Sequence, residues 1–430
     1  MSGIFGIYGK EKLNASNLIH YGLYALQHRG QISCGIGTID GEDVKVYNDN
    51  GLVSGVFAEE TLNELKGSIG IGHIKYAFSY ETATSEVMPL LFEDKKLSSI
   101  IALDGNILGK NFKMEKVVES LRNLDGINAE LKKIIGAFSI VYMDREKMIA
   151  HRDRWGIKPL CLGKIGESYI VSSESCALDA SGAEFIRDFE PGDTVIVDND
   201  GYRILNMGDM ERKLCLFESV YIARPDSYMN FKSVYMQRYD MGKLLFKECP
   251  TEGDVVIGAP DSGLISAIGY SDESKISYEL GIIKNRYVGR TFISPNQTER
   301  EKGVRIKLNP IKSVIEGKEL ILVDDSIVRG TTMKRTVKML KDAGAKKVHV
   351  RVSSPPVTKP CNLSIDTPNE DHLIGHGRSV EEIRKIIGAD SLYYLSLEAL
   401  IKASGNYGYC TNCFNGVYPI KRSELDGNDI

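Results

Sequence analysis

Between Ile321 and Thr332 an apolar run ends in two adjacent carboxylates, Asp324 and Asp325, followed by Ser326, Arg329 and a Gly330-Thr331-Thr332 turn. These residue types in this order offer phosphate and sugar binding. A helix opening at Gly330 presents first-turn N–H groups that lack internal partners, together with the positive end of its dipole, to an anion. Gly330 lets the backbone come close, and the Thr331 and Thr332 hydroxyls donate to the same oxygens. Two carboxylates just upstream can accept from sugar hydroxyls or meet Mg2+, which takes hard oxygen ligands. A bare Asp-Asp is usually a solvated loop, but the flanking strand and Gly-Thr-Thr turn lift this pair above that background. A basic segment carries Lys284, Arg286 and Arg290, donors suited to a leaving group of high negative charge, although Lys-Asn-Arg-Tyr alone also fits a solvated basic face. Cys410-Thr411-Asn412-Cys413 has the C-x-x-C spacing, open to zinc, redox or iron–sulfur use.

The elements that must hold these residues follow from periodicity. Residues 1–205 contain short alternating apolar runs at 70–74, 99–103, 138–142, 169–171 and 194–197, which predict a strand-rich domain. Helices are predicted over 16–27, where Ile19, Leu23 and Leu26 share a face, and over 114–124. Residues 206–250 read as a connector and helix. From 251 to 400 strands alternate with helices, implying a parallel sheet covered by helices, and 401–430 form a cysteine-bearing tail. The chain has 430 residues, a net charge of −4, 42% hydrophobic and 26% charged residues, an ordinary globular composition of two or three domains. Near-balanced charge removes the case for a nucleic-acid binder. No apolar run approaches the roughly 18 residues of a membrane span, and the N-terminus lacks a signal-peptide pattern, so a cytoplasmic location is expected. Eight cysteines are too sparse for a secreted disulfide scaffold.

The 321–332 block resembles the phosphoribosylpyrophosphate (PRPP) loop of type I phosphoribosyltransferases. With Gly258-Ala259-Pro260-Asp261-Ser262-Gly263, the segment Lys284 to Phe292, Ser353-Ser354-Pro355-Pro356, Gln27-His28-Arg29-Gly30-Gln31 and Ser173-Glu174-Ser175-Cys176, nearly the whole chain is similar to the glutamine PRPP amidotransferases. The resemblance implies an α+β N-terminal nucleophile (Ntn) hydrolase-like four-layer sandwich, followed by an α/β type I phosphoribosyltransferase domain with a parallel sheet. It also implies a homo-oligomer, dimer or tetramer. By the same resemblance the loop Asp261, Ser262 and Gly263 contacts pyrophosphate, Ser262, Asp324 and Asp325 hold Mg2+, and Ser326, Arg329, Gly330, Thr331 and Thr332 bind the sugar phosphate. Lys284, Arg286 and Arg290 belong to a segment that closes over PRPP. Cys215 and Cys361 match two further ligands that, with Cys410 and Cys413, hold a [4Fe-4S] cluster in one branch of the family. A Cys₄ zinc site is the alternative. Cys34, Cys161, Cys176 and Cys249 read as core thiols.

The N-terminal half departs from that family where glutamine would be hydrolysed. Ser2 stands at the nucleophilic cysteine, Lys75 at the arginine that clamps the glutamine carboxylate, and Leu103-Asp104-Gly105-Asn106 at His-Asn-Gly-Asn. The segment from Asn106 to Gly136 is too short for the family's Ser-Asp-Thr-Glu stretch. Lysine lacks the bidentate fork, and Asp104 puts an acceptor where an oxyanion needs a donor. The implied activity is therefore formation of 5-phosphoribosylamine from PRPP, the first step of purine biosynthesis, with ammonia as nitrogen source. The alternatives are a phosphoribosyltransferase with another nitrogen acceptor, and a non-catalytic regulatory paralogue that binds PRPP or nucleotides.

Overall fold

The computed structural model describes residues 2–10, 13–76, 87–95, 97–108, 113–124, 127–205, 208, 210–285, 308–365 and 367–420. The first thirteen strands are β1 (Ser2–Tyr8), β2 (Ser33–Asp40), β3 (Asp43–Asn50), β4 (Ile69–Lys75), β5 (Leu90–Phe92), β6 (Ser99–Leu108), β7 (Ile135–Met143), β8 (Met148–Arg152), β9 (Cys161–Ile165), β10 (Ser168–Ser172), β11 (Glu184–Asp188), β12 (Thr194–Asp198) and β13 (Gly201–Leu205). They form a seven-stranded sheet in the order β11-β9-β10-β1-β4-β2-β3 and a six-stranded sheet in the order β13-β12-β8-β7-β6-β5.

Alternation along each strand sorts the side chains into layers. On β1 and β4, Ile4 and Ile71 point between the sheets and meet Ala102, Val141 and Val195. Phe5, Ile7 and Ile74 point outward beneath the helix Ala15–Leu26, which buries Ile19, Leu23 and Leu26, and beside Ala177 and Leu178 of the helix Ser175–Ser181. On the far side, Val117, Val118, Leu121 and Leu131 of the helices Met114–Arg122 and Ile127–Lys133 pack on Phe138 and Ile140. Helix, sheet, sheet and helix make the expected four-layer sandwich.

The connector contributes β14 (Leu214–Cys215), one turn of π-helix (Glu218–Ile222) and the ribbon β15 (Tyr228–Met229) and β16 (Lys232–Ser233). The helix Val234–Glu248 begins at Ser233, whose hydroxyl accepts from the Met236 N–H. Beyond it come β17 (Val255–Gly258), the ribbon β18 (Ile282–Lys284) with β19 (Leu308–Pro310), then β20 (Glu319–Asp324), β21 (Lys347–Val352) and β22 (Ser391–Tyr394). β17, β20, β21 and β22 lie side by side in that order, all parallel. Their Val, Ile and Leu runs are buried on both faces, as a helix-covered parallel sheet requires.

Two helices of this half approach each other unusually closely. A Cβ on Gly242 would stand 1.9 Å from the Ser266 carbonyl oxygen of the helix Leu264–Ser274, and one on Gly269 would stand 2.0 Å from that of Tyr239. The chain ends its described course with β23 (Tyr409–Cys410), parallel to β14. The largest apolar core joins Ile135, Trp155 and Ile157 of the sandwich, Leu214 to Ile222 of the connector, Val256 and Ile321 of the parallel sheet, and Tyr409 and Phe414 of the tail. Among the described residues no helix is long and apolar enough to cross a membrane.

Candidate functional site

The carboxylate pair stands at the C-terminal end of β20, the end at which ligands collect in open parallel sheets. Asp324 closes the strand and Asp325 opens the loop, with its N–H donating to Asp324 Oδ1 at 2.9 Å. Ser326 donates to Asp325 Oδ2 at 2.7 Å, and Ser262, at the end of the neighbouring β17 loop, donates to Asp325 Oδ1. The structure thus brings together Ser262, Asp324 and Asp325, two loops that are 63 residues apart in sequence. Burial, and after it the Asp325 charge alongside, pushes the Asp324 carboxyl well above the usual carboxylate range. Two acids that cannot both ionise comfortably, with a hydroxyl beside them, are a donor set that suits a divalent cation such as Mg2+.

Gly330 then turns the chain into the helix Thr331–Asp342 with φ +75°, a left-handed conformation, and its missing Cβ leaves room for Ile374, whose Cδ1 would otherwise be 2.3 Å away. No side chain caps this helix, and Thr331 and Thr332 are exposed, so its first-turn N–H groups face solvent. Arg329 is exposed beside them. Asp261 is exposed and paired with Lys284, which ends β18, while Gly263 is buried under the loop with its N–H on the Ala259 carbonyl. The β18–β19 ribbon brings the two ends of the 286–307 segment side by side; Arg286 and Arg290 lie outside the described residues.

At the other end of the molecule Ser2 is nearly buried at the start of β1, opposite Lys75 of β4, which also pairs with Ser33 of β2. The Ser2 carbonyl accepts from Arg29 Nε at 2.9 Å. Arg29 is wholly buried, and its fork reaches Glu218 of the connector at 2.8 and 2.9 Å and Glu174 at 2.7 Å. Lys158, also wholly buried, bridges Glu218 and Asp104, each at 3.1 Å, and Arg29 lies 3.5 Å from the same Asp104 oxygen. Burial would raise the Glu218 carboxyl, but Arg29 and then Lys158 hold it down at about 2. Burial would weaken Arg29 as a cation, but Glu218, Glu174 and Asp104 hold its pKa well up. His73 donates from Nε2 to the Leu103 carbonyl at 3.1 Å, which leaves Nδ1 as a bare lone pair, and burial lowers its pKa to about 4.

Asp104 is an acceptor by residue type, and its negative charge is balanced by Lys158 and Arg29. Glu218 was not singled out by sequence reasoning because 189 residues separate it from Arg29 and nothing in its local run marks it. The pairing is visible only once the connector folds back.

The thiols of Cys215, Cys361, Cys410 and Cys413 form one neighbourhood. Cys215 and Cys410 are register partners across β14 and β23, and Thr358 and Lys359 donate their N–H groups to the Cys413 carbonyl. Cys361 Sγ accepts from the N–H groups of Ser364 and Ile365 at 3.5 and 3.4 Å. Burial, then the negative charge of Cys215, Cys361 and Cys410, pushes the Cys413 thiol well up. Four cysteine sulfurs gathered at a domain seam are a soft donor set of the kind a metal centre takes, although among the described residues no three His, Cys, Asp or Glu side chains converge at metal-binding separation. Cys34, Cys161 and Cys176 are buried as expected, whereas Cys249 is only partly buried.

Two family models match the chain, a glutamine amidotransferase domain over residues 91–180 and a phosphoribosyl transferase domain over residues 241–361. The amidophosphoribosyltransferase of Methanocaldococcus jannaschii is 43% identical over 97% of this chain and 98% of its own. That of Bacillus subtilis is 42% identical over 97% of this chain and 94% of its own. The solved structure of glutamine PRPP amidotransferase from B. subtilis, complexed with ADP and GMP, superposes with a TM-score of 0.89 at 42% identity over 97% of both chains.

Proposed function

The chain belongs to the amidophosphoribosyltransferases, transferases of the first step of purine biosynthesis, and from that premise we propose that it takes its nitrogen from free ammonia rather than glutamine. The observation that carries this reading is the engagement of Asp104 by Lys158 and Arg29. A carboxylate paired with two cations at the oxyanion position has no hydrogen to offer a tetrahedral intermediate. Ser2 and Lys75, neighbours across β1 and β4, supply a hydroxyl in place of a thiol and a point charge in place of a fork.

In the transferase half, PRPP would lie with its 5-phosphate against the free N–H groups that begin the helix Thr331–Asp342 and against Thr331 and Thr332. Asp324 and Asp325 would accept from the ribose hydroxyls and oppose the positive charge that develops on the ring. Nitrogen forms its bond to the anomeric carbon as the bond to the pyrophosphate oxygen breaks, the electron pair leaving with pyrophosphate and the surplus amine proton passing to solvent. Lys284, beside Asp261, would receive the leaving group. Mg2+ held by Ser262, Asp324 and Asp325 would neutralise diphosphate charge. A [4Fe-4S] cluster on Cys215, Cys361, Cys410 and Cys413 would staple connector, transferase half and tail. By resemblance the molecule works as a homo-oligomer in the cytoplasm.

The test is PRPP consumption with Mg2+ and ammonium, glutamine or no nitrogen donor. Turnover with ammonium and none above background with glutamine is expected. Brisk release of ammonia from glutamine, abolished by Ser2→Ala, would overturn the proposal.

A further inference from the structure

Arg238 has no part in the chemistry above, yet it is a buried cation, 3% exposed, at the junction of three segments. Its Nε donates to the Ser219 carbonyl at 2.9 Å and its Nη2 to the Ala223 carbonyl at 2.7 Å, so its fork clasps the π-helical turn of the connector. Its own carbonyl accepts from Ser266 Oγ at 3.0 Å, Ser266 Oγ lies 3.1 Å from Ser353 Oγ, and the Ser353 N–H donates to the Asp324 carbonyl at 2.9 Å. Among the described residues no carboxylate forms an ion pair with it. Burial lowers its pKa, opposed in part by the negative charge of Asp325 and then of Glu174. A guanidinium removed from water without a paired carboxylate is costly to keep, and carbonyl bonds repay only part of that. Arg29 grips the same π-helical turn through Glu218.

We propose that Arg238 is a positioning residue for phosphoribosyl transfer, locking the connector to the strand end that carries Asp324 and Asp325. The inference rests on reading residues 321–332 as the PRPP site. A purely structural arginine predicts only lost stability. A positioning role predicts a change in how PRPP is held by the folded protein.

The experiment compares the full-length protein with Arg238→Lys, Arg238→Gln and Ser266→Ala, reading KM and kcat for PRPP with ammonium and Mg2+, PRPP affinity by calorimetry, and the urea midpoint. Arg238→Gln should raise both KM and the dissociation constant for PRPP roughly tenfold, and Arg238→Lys should recover most of that loss by restoring the charge. Ser266→Ala, which breaks the same relay without removing a cation, should move KM in the same direction by a smaller factor. The inference is overturned if the variants bind PRPP as the parent does and differ only in urea midpoint, or if Ser266→Ala, should the Arg238 variants not fold, leaves KM unchanged. Failure of the parent protein itself to bind PRPP would instead remove the site reading, a distinct outcome.

Discussion

Lys158 is a lysine with its whole side chain out of water, tolerable only because Glu218 and Asp104 each stand 3.1 Å from its ammonium. Removing one partner of such a group costs more than the pair contributes, since the other charge is left buried. Lys158→Met should therefore destabilise the protein by about 3–5 kcal/mol in urea unfolding. Adding Asp104→Leu should restore part of the loss, a coupling that strictly additive values would refute. His73 and His151 make a second residue-scale prediction. Burial holds their imidazoles neutral, lowering their pKa values to about 4 and about 3. An unfolded chain protonates histidine near 6.5, so between that value and about 4 the unfolded state binds more protons and stability rises with pH. Their contribution is complete above about pH 6.5 and is lost as the pH falls. Glu218, depressed to about 2, adds a further loss below its ordinary value of 4.5. The urea midpoint should drop between about pH 7.5 and 5, and an invariant midpoint would contradict this.

At the scale of elements, much was legible from periodicity. The helix expected over 16–27 forms as Ala15–Leu26, and the apolar run before the carboxylates forms the strand Glu319–Asp324, because an apolar face at helical spacing or a doubly buried apolar run leaves few alternatives. The turn at Gly330 was legible too, since Gly-Thr-Thr after a strand has few other uses. The seam between the helices Val234–Glu248 and Leu264–Ser274 was not. A glycine inside a helix reads locally as a weakness, and only the facing carbonyls of Ser266 and Tyr239 show that Gly242 and Gly269 let two backbones touch. Gly269→Ala should consequently cost about 1–3 kcal/mol by forcing the helices apart, against the slight gain expected for alanine in an isolated helix. An equal or higher urea midpoint in that variant would show the seam to be slack. The Arg29 and Glu218 contact stayed hidden for a related reason, because it joins segments whose local patterns are each complete without it.

Taken whole, the molecule has its largest core where its segments meet, with the four grouped thiols packed against that core. Iron and acid-labile sulfide analysis of anaerobically purified protein should find roughly four irons per chain, and zinc alone would refute the cluster. Cys410→Ser with Cys413→Ser should remove the metal and make the 401–420 region sensitive to protease, a change a merely incidental pair of thiols would not produce. The same core couples the two halves energetically, since Trp155 and Ile157 of the sandwich share it with Val256 and Ile321 of the parallel sheet.

The pairing of β14 with β23 sets a timetable for synthesis. The connector strand at Leu214 emerges from the ribosome nearly two hundred residues ahead of its neighbour at Tyr409, and until that neighbour arrives the edge it pairs with and the part of the core the tail supplies stay uncovered. A nascent chain stalled in that interval exposes sticky surface for the length of the pause, and chaperones that shield such surface should be found on ribosomes translating this message past codon 214.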